Sequence, residues 1–308
     1  MLASLFRSCG IIATASGIQN AMHRLLQIVI GCLLAGLVAV SASAQPVPRW
    51  MTLPPTPSLP TPQTSGHAAV NGISIWYATF GSGPPVVLLH GGLANSNYWG
   101  NQVPALAETH RVIVMDSRGH GRSTRNAQPY GYALMASDVI GLMDFLGIPQ
   151  AAIVGWSDGA IIGLELAIHN PDRLRGVFAF AANYNPSGVT ENLDKNVTFN
   201  SFIERCRQEY PGLSATPDGY QAFLDAITKM WDTEPNLNPD TLRAIHVPFV
   251  IADGDHDEAI KRSQTEEMAT LIPGAGLLIQ PNVSHFSMLQ DPRQFTGDVE
   301  HFLEKLPK

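Results

Sequence analysis

The stretch Gly155-Trp156-Ser157-Asp158-Gly159 leaves the chain little freedom in what it can fold into. The apolar run Ala151-Ala152-Ile153-Val154 precedes it, and a helical run from Ala160 to His169 follows. A strand, a one-residue bend and a helix in that succession put Ser157 at the tip of a sharp turn. The backbone there is strained, and only small neighbours two residues either way permit it. Gly155 and Gly159 meet that demand. A helix starting beside Ser157 also directs unpaired N–H groups and a positive dipole end at any anion that forms there. A bare G-x-S-x-G arises by chance in a chain with 27 glycines. The strand before it and the helix after it make it informative.

The rest of the chain repeats the same rhythm. His67 to Val70 and Ile73 to Phe80 flank Asn71-Gly72, the pattern of a β-hairpin. Val86 to Leu89 and Val112 to Met115 read as continuous apolar strands of the buried, parallel kind. Met135, Val139, Leu142 and Leu146 give the following helix one apolar face, and Gly147-Ile148-Pro149 ends it. Further strands are expected over 174–181, 248–252 and 276–279. Phe295, Val299, Phe302 and Leu306 mark a closing amphipathic helix. Strands alternating with helices predict an α/β fold, a mostly parallel central sheet with helices on both faces. The rhythm breaks over about 183–245. That polar, helical stretch carries Tyr184, Phe199, Phe202, Tyr210, Tyr220, Phe223 and Trp231. It is expected as a cap insertion over the sheet's carboxyl edge, where ligands bind in open α/β folds. Most of its aromatics should be packing, and a few should line an apolar pocket.

Candidate functional residues cluster at strand ends. His90-Gly91-Gly92-Leu93 follows the strand at 86–89, and an N–H of Gly92 or Leu93 can pair with that of Asp158 to hold an oxyanion. Asp253, Asp255, Asp257 and Glu258 crowd the end of the strand at 248–252. They lack the spacing and terminal glutamate of a calcium loop, so a carboxylate that orients a histidine is the better account. His285 follows the last strand. Glycine turns hold His90 and His120, which are expected to be structural.

The first 44 residues read as an export signal: a basic start at His23-Arg24, an apolar run from Leu25 to Val40, and Ala42-Ser43-Ala44 as a cleavage site. The rival reading is an uncleaved membrane anchor through 25–40. Residues 45–65 hold seven prolines and are expected as an extended, poorly packed tether ahead of a domain at 66–308. The signal contains two arginines and no acids, so cleavage takes the net charge from −7 to −9. Such a protein has no electrostatic attraction for nucleic acid or anionic membranes. Cleavage also removes Cys9 and Cys32, leaving Cys206 alone and no intramolecular disulfide possible.

Taken together, Val86 to Gly92, Asp116-Ser117-Arg118-Gly119-His120-Gly121-Arg122-Ser123, the G-W-S-D-G stretch, Gly254-Asp255-His256-Asp257 and His285 resemble the α/β-hydrolase superfamily, over essentially all of 67–308. The resemblance implies a catalytic triad of Ser157, Asp257 and His285, with Asp255 the runner-up for the acid. The oxyanion hole would come from Gly92, Leu93 and Asp158. Many relatives have glycine where this chain has Ser284. The G-W-S-D-G form is similar to valacyclovir hydrolase-like esterases, which implies that Trp156 and Asp158 meet substrate and that Asp158 can face a substrate amine. Alternatively, Asp158 simply favours the helix N-terminus. The implied chemistry is hydrolysis of a small-molecule carboxylic ester or lactone through an acyl-enzyme, without cofactor or metal. Amide, C–C or perhydrolysis chemistry on the same triad, and a non-catalytic ligand receptor, are the alternatives.

Overall fold

The computed structural model describes residues 47–307. The expected export segment at 1–44 lies outside the described residues. Eight strands form one sheet: β1 Thr64–Val70, β2 Ile73–Phe80, β3 Pro85–Leu89, β4 Arg111–Met115, β5 Ala151–Trp156, β6 Leu174–Phe180, β7 Phe249–Gly254 and β8 Gly276–Gln280. Their spatial order is β1-β2-β4-β3-β5-β6-β7-β8. The hairpin strand β2 pairs antiparallel with β1 and β4, and all later pairings are parallel. Asn71 and Gly72 turn the hairpin at φ 48° and 74°, the left-handed conformations such a two-residue loop needs.

Alternation along β6 shows why helices cover both faces. Val177 points toward Gly163 of the helix after the elbow, which spans Asp158–His169. Phe178 and Phe180 point the other way, onto Phe295 and, for Phe178, Phe302 of the closing helix Pro292–Lys305. Successive side chains of a strand leave on opposite faces, so an apolar run buried on both sides needs a helix on each. Each fully buried side chain of this size contributes roughly 1.5–3 kcal/mol through the apolar area it removes from water.

We label the longer helices α1 Tyr132–Phe145, α2 Asp158–His169, α3 Val197–Leu213, α4 Tyr220–Trp231, α5 Arg262–Leu271 and α6 Pro292–Lys305. Helices α3 and α4 lie within the chain that joins β6 to β7, the stretch expected to form the cap. Among the described residues no helix is long and apolar enough to cross a membrane.

The Pro-rich segment departs from its expected role. From Trp50 onward it docks on the domain rather than hanging loose, and β1 already begins at Thr64, inside the span expected as tether. Leu53 and Leu59 rest on the core. Arg205 of α3 donates to the carbonyls of Leu53 and Pro54 at 2.8 and 2.6 Å. Ser58 presses its carbonyl so close to Gly100 that a Cβ there would sit 2.5 Å away. Proline content predicted the extended backbone, but not that side chains distant in sequence would satisfy its carbonyls.

Candidate active site

Strand β5 ends in the elbow. Ser157 adopts φ 55° and ψ −121°, a conformation that L-residues rarely hold. A Cβ on Gly155 would lie 2.3 Å from the Gly159 carbonyl oxygen, and one on Gly159 would lie 2.1 Å from that of Leu89. The two glycines therefore let β5, α2 and β3 approach backbone to backbone. Gly159→Ala is expected to destabilise the fold by about 1–3 kcal/mol or more, because backbone rather than a flexible side chain must yield. Urea unfolding of the variant beside the wild type measures this, and an unchanged midpoint would contradict it.

The three aspartates at the end of β7 and in the loop after it have three different fates. Asp257 is buried and accepts from His285 Nδ1 through Oδ2 at 2.9 Å, while its Oδ1 accepts the N–H groups of Ala259 and Ile260, both at 2.7 Å. Asp255 is exposed and accepts from the Val283 N–H. Asp253 is buried and accepts from Thr265 Oγ1 and the Gly254 N–H. Burial raises its carboxyl well above the usual range, and the Asp257 charge adds to that, so Asp253 stays neutral. The geometry thus selects Asp257 over Asp255 as the partner of His285. Burial also raises the Asp257 carboxyl and lowers the His285 imidazole from its ordinary value. With the three donors on Asp257 favouring its anion, the pair is a carboxylate beside a neutral imidazole, protonated on Nδ1 and free to accept on Nε2.

The His285 backbone is clamped from both sides. Glu258 Oε2 accepts its N–H at 3.0 Å, and Trp156 Nε1 donates to its carbonyl at 2.8 Å. This corrects the expectation that Trp156 meets substrate. The indole is 1% exposed, packed among Tyr98, Phe202 and Phe286. It belongs to β5, and alternation along the strand turns it into the core while Ser157 faces out.

Ser157, Asp158 and His285 line one cavity of about 560 Å³, together with Tyr132, Phe199, Trp231 and Glu234. Of the cap aromatics, Phe199 and Trp231 reach it, whereas Phe202, Tyr210, Tyr220 and Phe223 are buried as packing. Asp158 accepts from Tyr132 Oη at 2.9 Å and from Trp231 Nε1 at 3.0 Å. Burial lifts its carboxyl to about 6 against those two donors. Leu93 is held at φ 62°, and a Cβ on Gly92 would lie 2.4 Å from the Trp231 ring and 2.6 Å from Asp158 Oδ2. The glycine is thus required by the cap tryptophan that closes over it.

His90 is structural as expected: its Nε2 accepts the Ser117 N–H, tying the loop after β3 to the loop after β4. Burial pushes His120 down to about 3, so it too is neutral. In the motif after β4, Asp116 accepts from Ser96 and Arg122, and Arg118 pairs with buried Asp138 at 2.6 Å. Tyr132 and Glu234 had no signal in the sequence, and Glu258 stood out only as one of a run of carboxylates, since each matters through a partner from another element. Among the described residues no group of three or more His, Cys, Asp or Glu side chains is arranged to hold a metal ion.

A profile of the alpha/beta hydrolase fold matches residues 84–212. The chain is 27% identical over 258 residues to 3-oxoadipate enol-lactonase 2 of Acinetobacter baylyi, covering 76% of this chain and 94% of that protein. It is 25% identical to the pimeloyl-acyl-carrier-protein methyl ester esterase of Aeromonas hydrophila, over 75% of this chain and all of that one. Est816, described as an N-acyl homoserine lactone degrading enzyme, superimposes with a TM-score of 0.64 at 27% identity, over 77% of this chain and 100% of its own.

Proposed function

Because the chain is a hydrolase of the α/β-hydrolase superfamily, we propose that it cleaves a small carboxylic ester or lactone through an acyl-enzyme on Ser157. The observation that carries this is that His285, held by Asp257, lines the same cavity as Ser157. His285 Nε2 takes the Ser157 proton as Oγ attacks the carbonyl carbon, and Asp257 holds the imidazole in the tautomer that can do so. The N–H groups of Asp158 and of Gly92 or Leu93 stabilise the tetrahedral oxyanion, each worth roughly 3–4 kcal/mol in measured systems. His285 then protonates the departing alkoxide and afterwards activates the water that frees the acid. A lactone follows the same steps, its alcohol remaining tethered to the released acid.

Mass spectrometry after brief incubation with p-nitrophenyl butyrate tests this directly. A butyryl group on the peptide containing Ser157 is expected, and acylation elsewhere or nowhere would reject the reading.

The cavity lining suggests which esters fit. Asp158, Asp194, Asp232 and Glu234 face it, and no lysine or arginine is among its lining residues. A carboxylate on the substrate would meet like charge, at a cost of about 2 kcal/mol for a pair roughly 8 Å apart and about 4 kcal/mol at roughly 4 Å, at an effective dielectric near 20. Neutral or ammonium-bearing esters are therefore expected to exceed matched carboxylate-bearing esters in kcat/KM by about tenfold or more at pH 8. Asp158 loses its charge as pH falls through about 6, so the discrimination should narrow at pH 5. A matched hemiester series read at both pH values checks this, and equal turnover at pH 8 would sink it.

The apolar run at 25–40 and Ala42-Ser43-Ala44 support export with cleavage near Ala44. N-terminal sequencing of the protein recovered from its native host should begin at Gln45, and an intact Leu25 would favour the membrane anchor.

A further inference from the structure

We propose that Gln290 and the Pro-rich strap ahead of β1 form a brace that sets the position of His285, making Gln290 a positioning residue for the reaction at Ser157. The proposal rests on the serine-hydrolase reading above.

Gln290 is 8% exposed and closes the short helix Ser287–Gln290 just after the histidine. Its Oε1 accepts the Ser284 N–H at 2.7 Å. Its Nε2 donates to Ser284 Oγ at 2.9 Å and to the Thr52 carbonyl at 2.8 Å, with the Trp50 carbonyl at 3.4 Å. The Ser284 N–H needs an acceptor and the Thr52 carbonyl a donor, so the amide orientation is forced, and only a primary amide offers both at one end.

Ser284 immediately precedes His285. The loop is thereby held at successive residues: Ser284 by Gln290, and His285 by Glu258 and Trp156. The strap also reaches the acid loop. Trp50 stacks on His256, next to Asp257, with ring centroids 3.9 Å apart and planes 11° from parallel. Further along, Arg205 and Glu209 of α3 bind the strap at Leu53, Pro54 and Thr56. One segment thus spans the acid loop, the histidine loop and helix α3. It also gives Ser284 a role, since a glycine there could not accept from Gln290 Nε2. Neither catalytic loop lies within a strand or long helix, so the brace supplies rigidity that secondary structure does not, where a shift of about 1 Å in the imidazole can cost about 100-fold in rate.

The test uses the full chain with Gln290→Met, which keeps the volume and loses all four bonds, and Trp50→Ala, which weakens the strap's hold on the acid loop. Active sites are counted by the p-nitrophenol burst, so unfolded protein does not enter. For Gln290→Met, kcat per active site should fall about 10- to 100-fold with KM within about twofold. The acid limb of kcat/KM should also move up in pH. A loosened loop rehydrates His285, which faces Asp253, Asp257 and Glu258 from the acid loop and Asp158 from the elbow. Trp50→Ala should shift both in the same direction by less. A fall in melting temperature with kcat per site and the acid limb unchanged would make the brace merely structural and overturn the proposal. If Gln290→Met does not fold, Trp50→Ala decides on the same readouts. Should the wild type hydrolyse no ester, the serine-hydrolase reading falls by itself. Hydrogen exchange at the amides of 284 and 285 then still decides the brace, because unchanged protection in both variants overturns it.

Discussion

Replacing Ser157 by alanine is expected to lower kcat on p-nitrophenyl esters by a factor of about a million, with KM little changed. Without Oγ, His285 has no nucleophile to activate, and only the oxyanion donors and substrate binding remain to hold a water-attacked transition state. The elbow itself should persist. Its geometry comes from Gly155 and Gly159 and from the Ser157 N–H bond to the Phe180 carbonyl, none of which needs the hydroxyl. Initial rates across acyl chains of two to twelve carbons, with unfolding curves of both proteins, separate chemistry from folding. A variant within tenfold of wild type at equal stability would move the chemistry away from this serine.

Asp257→Asn should cost about 10⁴-fold in kcat, for a reason the hydrogen bonds make specific. Ala259 and Ile260 both point N–H groups at Oδ1, so an asparagine must turn its carbonyl oxygen to them. Its NH₂ then faces His285 Nδ1 where Oδ2 was, and the imidazole must present a lone pair there. The proton shifts to Nε2, which can no longer accept from Ser157. Asp255→Asn, at an exposed side chain without contact to His285, should leave kcat within about threefold. Steady-state kinetics of the two variants decide between them, and a reversed order would make Asp255 the acid.

The pH profile tests the same pair. The neutral imidazole is the active form, so activity is lost as pH falls through the His285 pKa. Burial lowers that pKa, so the acid limb should lie below the ordinary imidazole value of about 6.5. A limb near 7 would instead report protonation of the Asp257 carboxyl, which burial raises to about 7.

Much of this was legible before any coordinates. Apolar runs at 86–89, 112–115 and 151–154 fixed the buried strands, because a run without alternation can be stable only with both faces covered. The elbow placed Ser157, since no other local arrangement so demands two glycines. Periodicity, however, is blind to pairing across the sequence. Trp156 looked like a substrate contact because it adjoins the serine, yet strand alternation turns it inward to hold the His285 carbonyl.

The prolines at 46–62 likewise spoke for an extended backbone and were silent on its partners. Arg205, Gln290 and His256 supply those from far along the chain. Among the acids at 253, 255 and 257, composition offered three equal carboxylates, and resemblance preferred the last. Only the way β7 ends, with one side chain buried and neutral, one in solvent and one turned to His285, separated them. The sequence by itself determined the sheet, the elbow that carries Ser157 and the chain order of the proposed triad, because those follow from local pattern and chain order. The tertiary structure alone decided the charge of the cavity, the clamp on His285 and the docking of the strap. Each of those is an energy between residues that only the fold brings within hydrogen-bond distance.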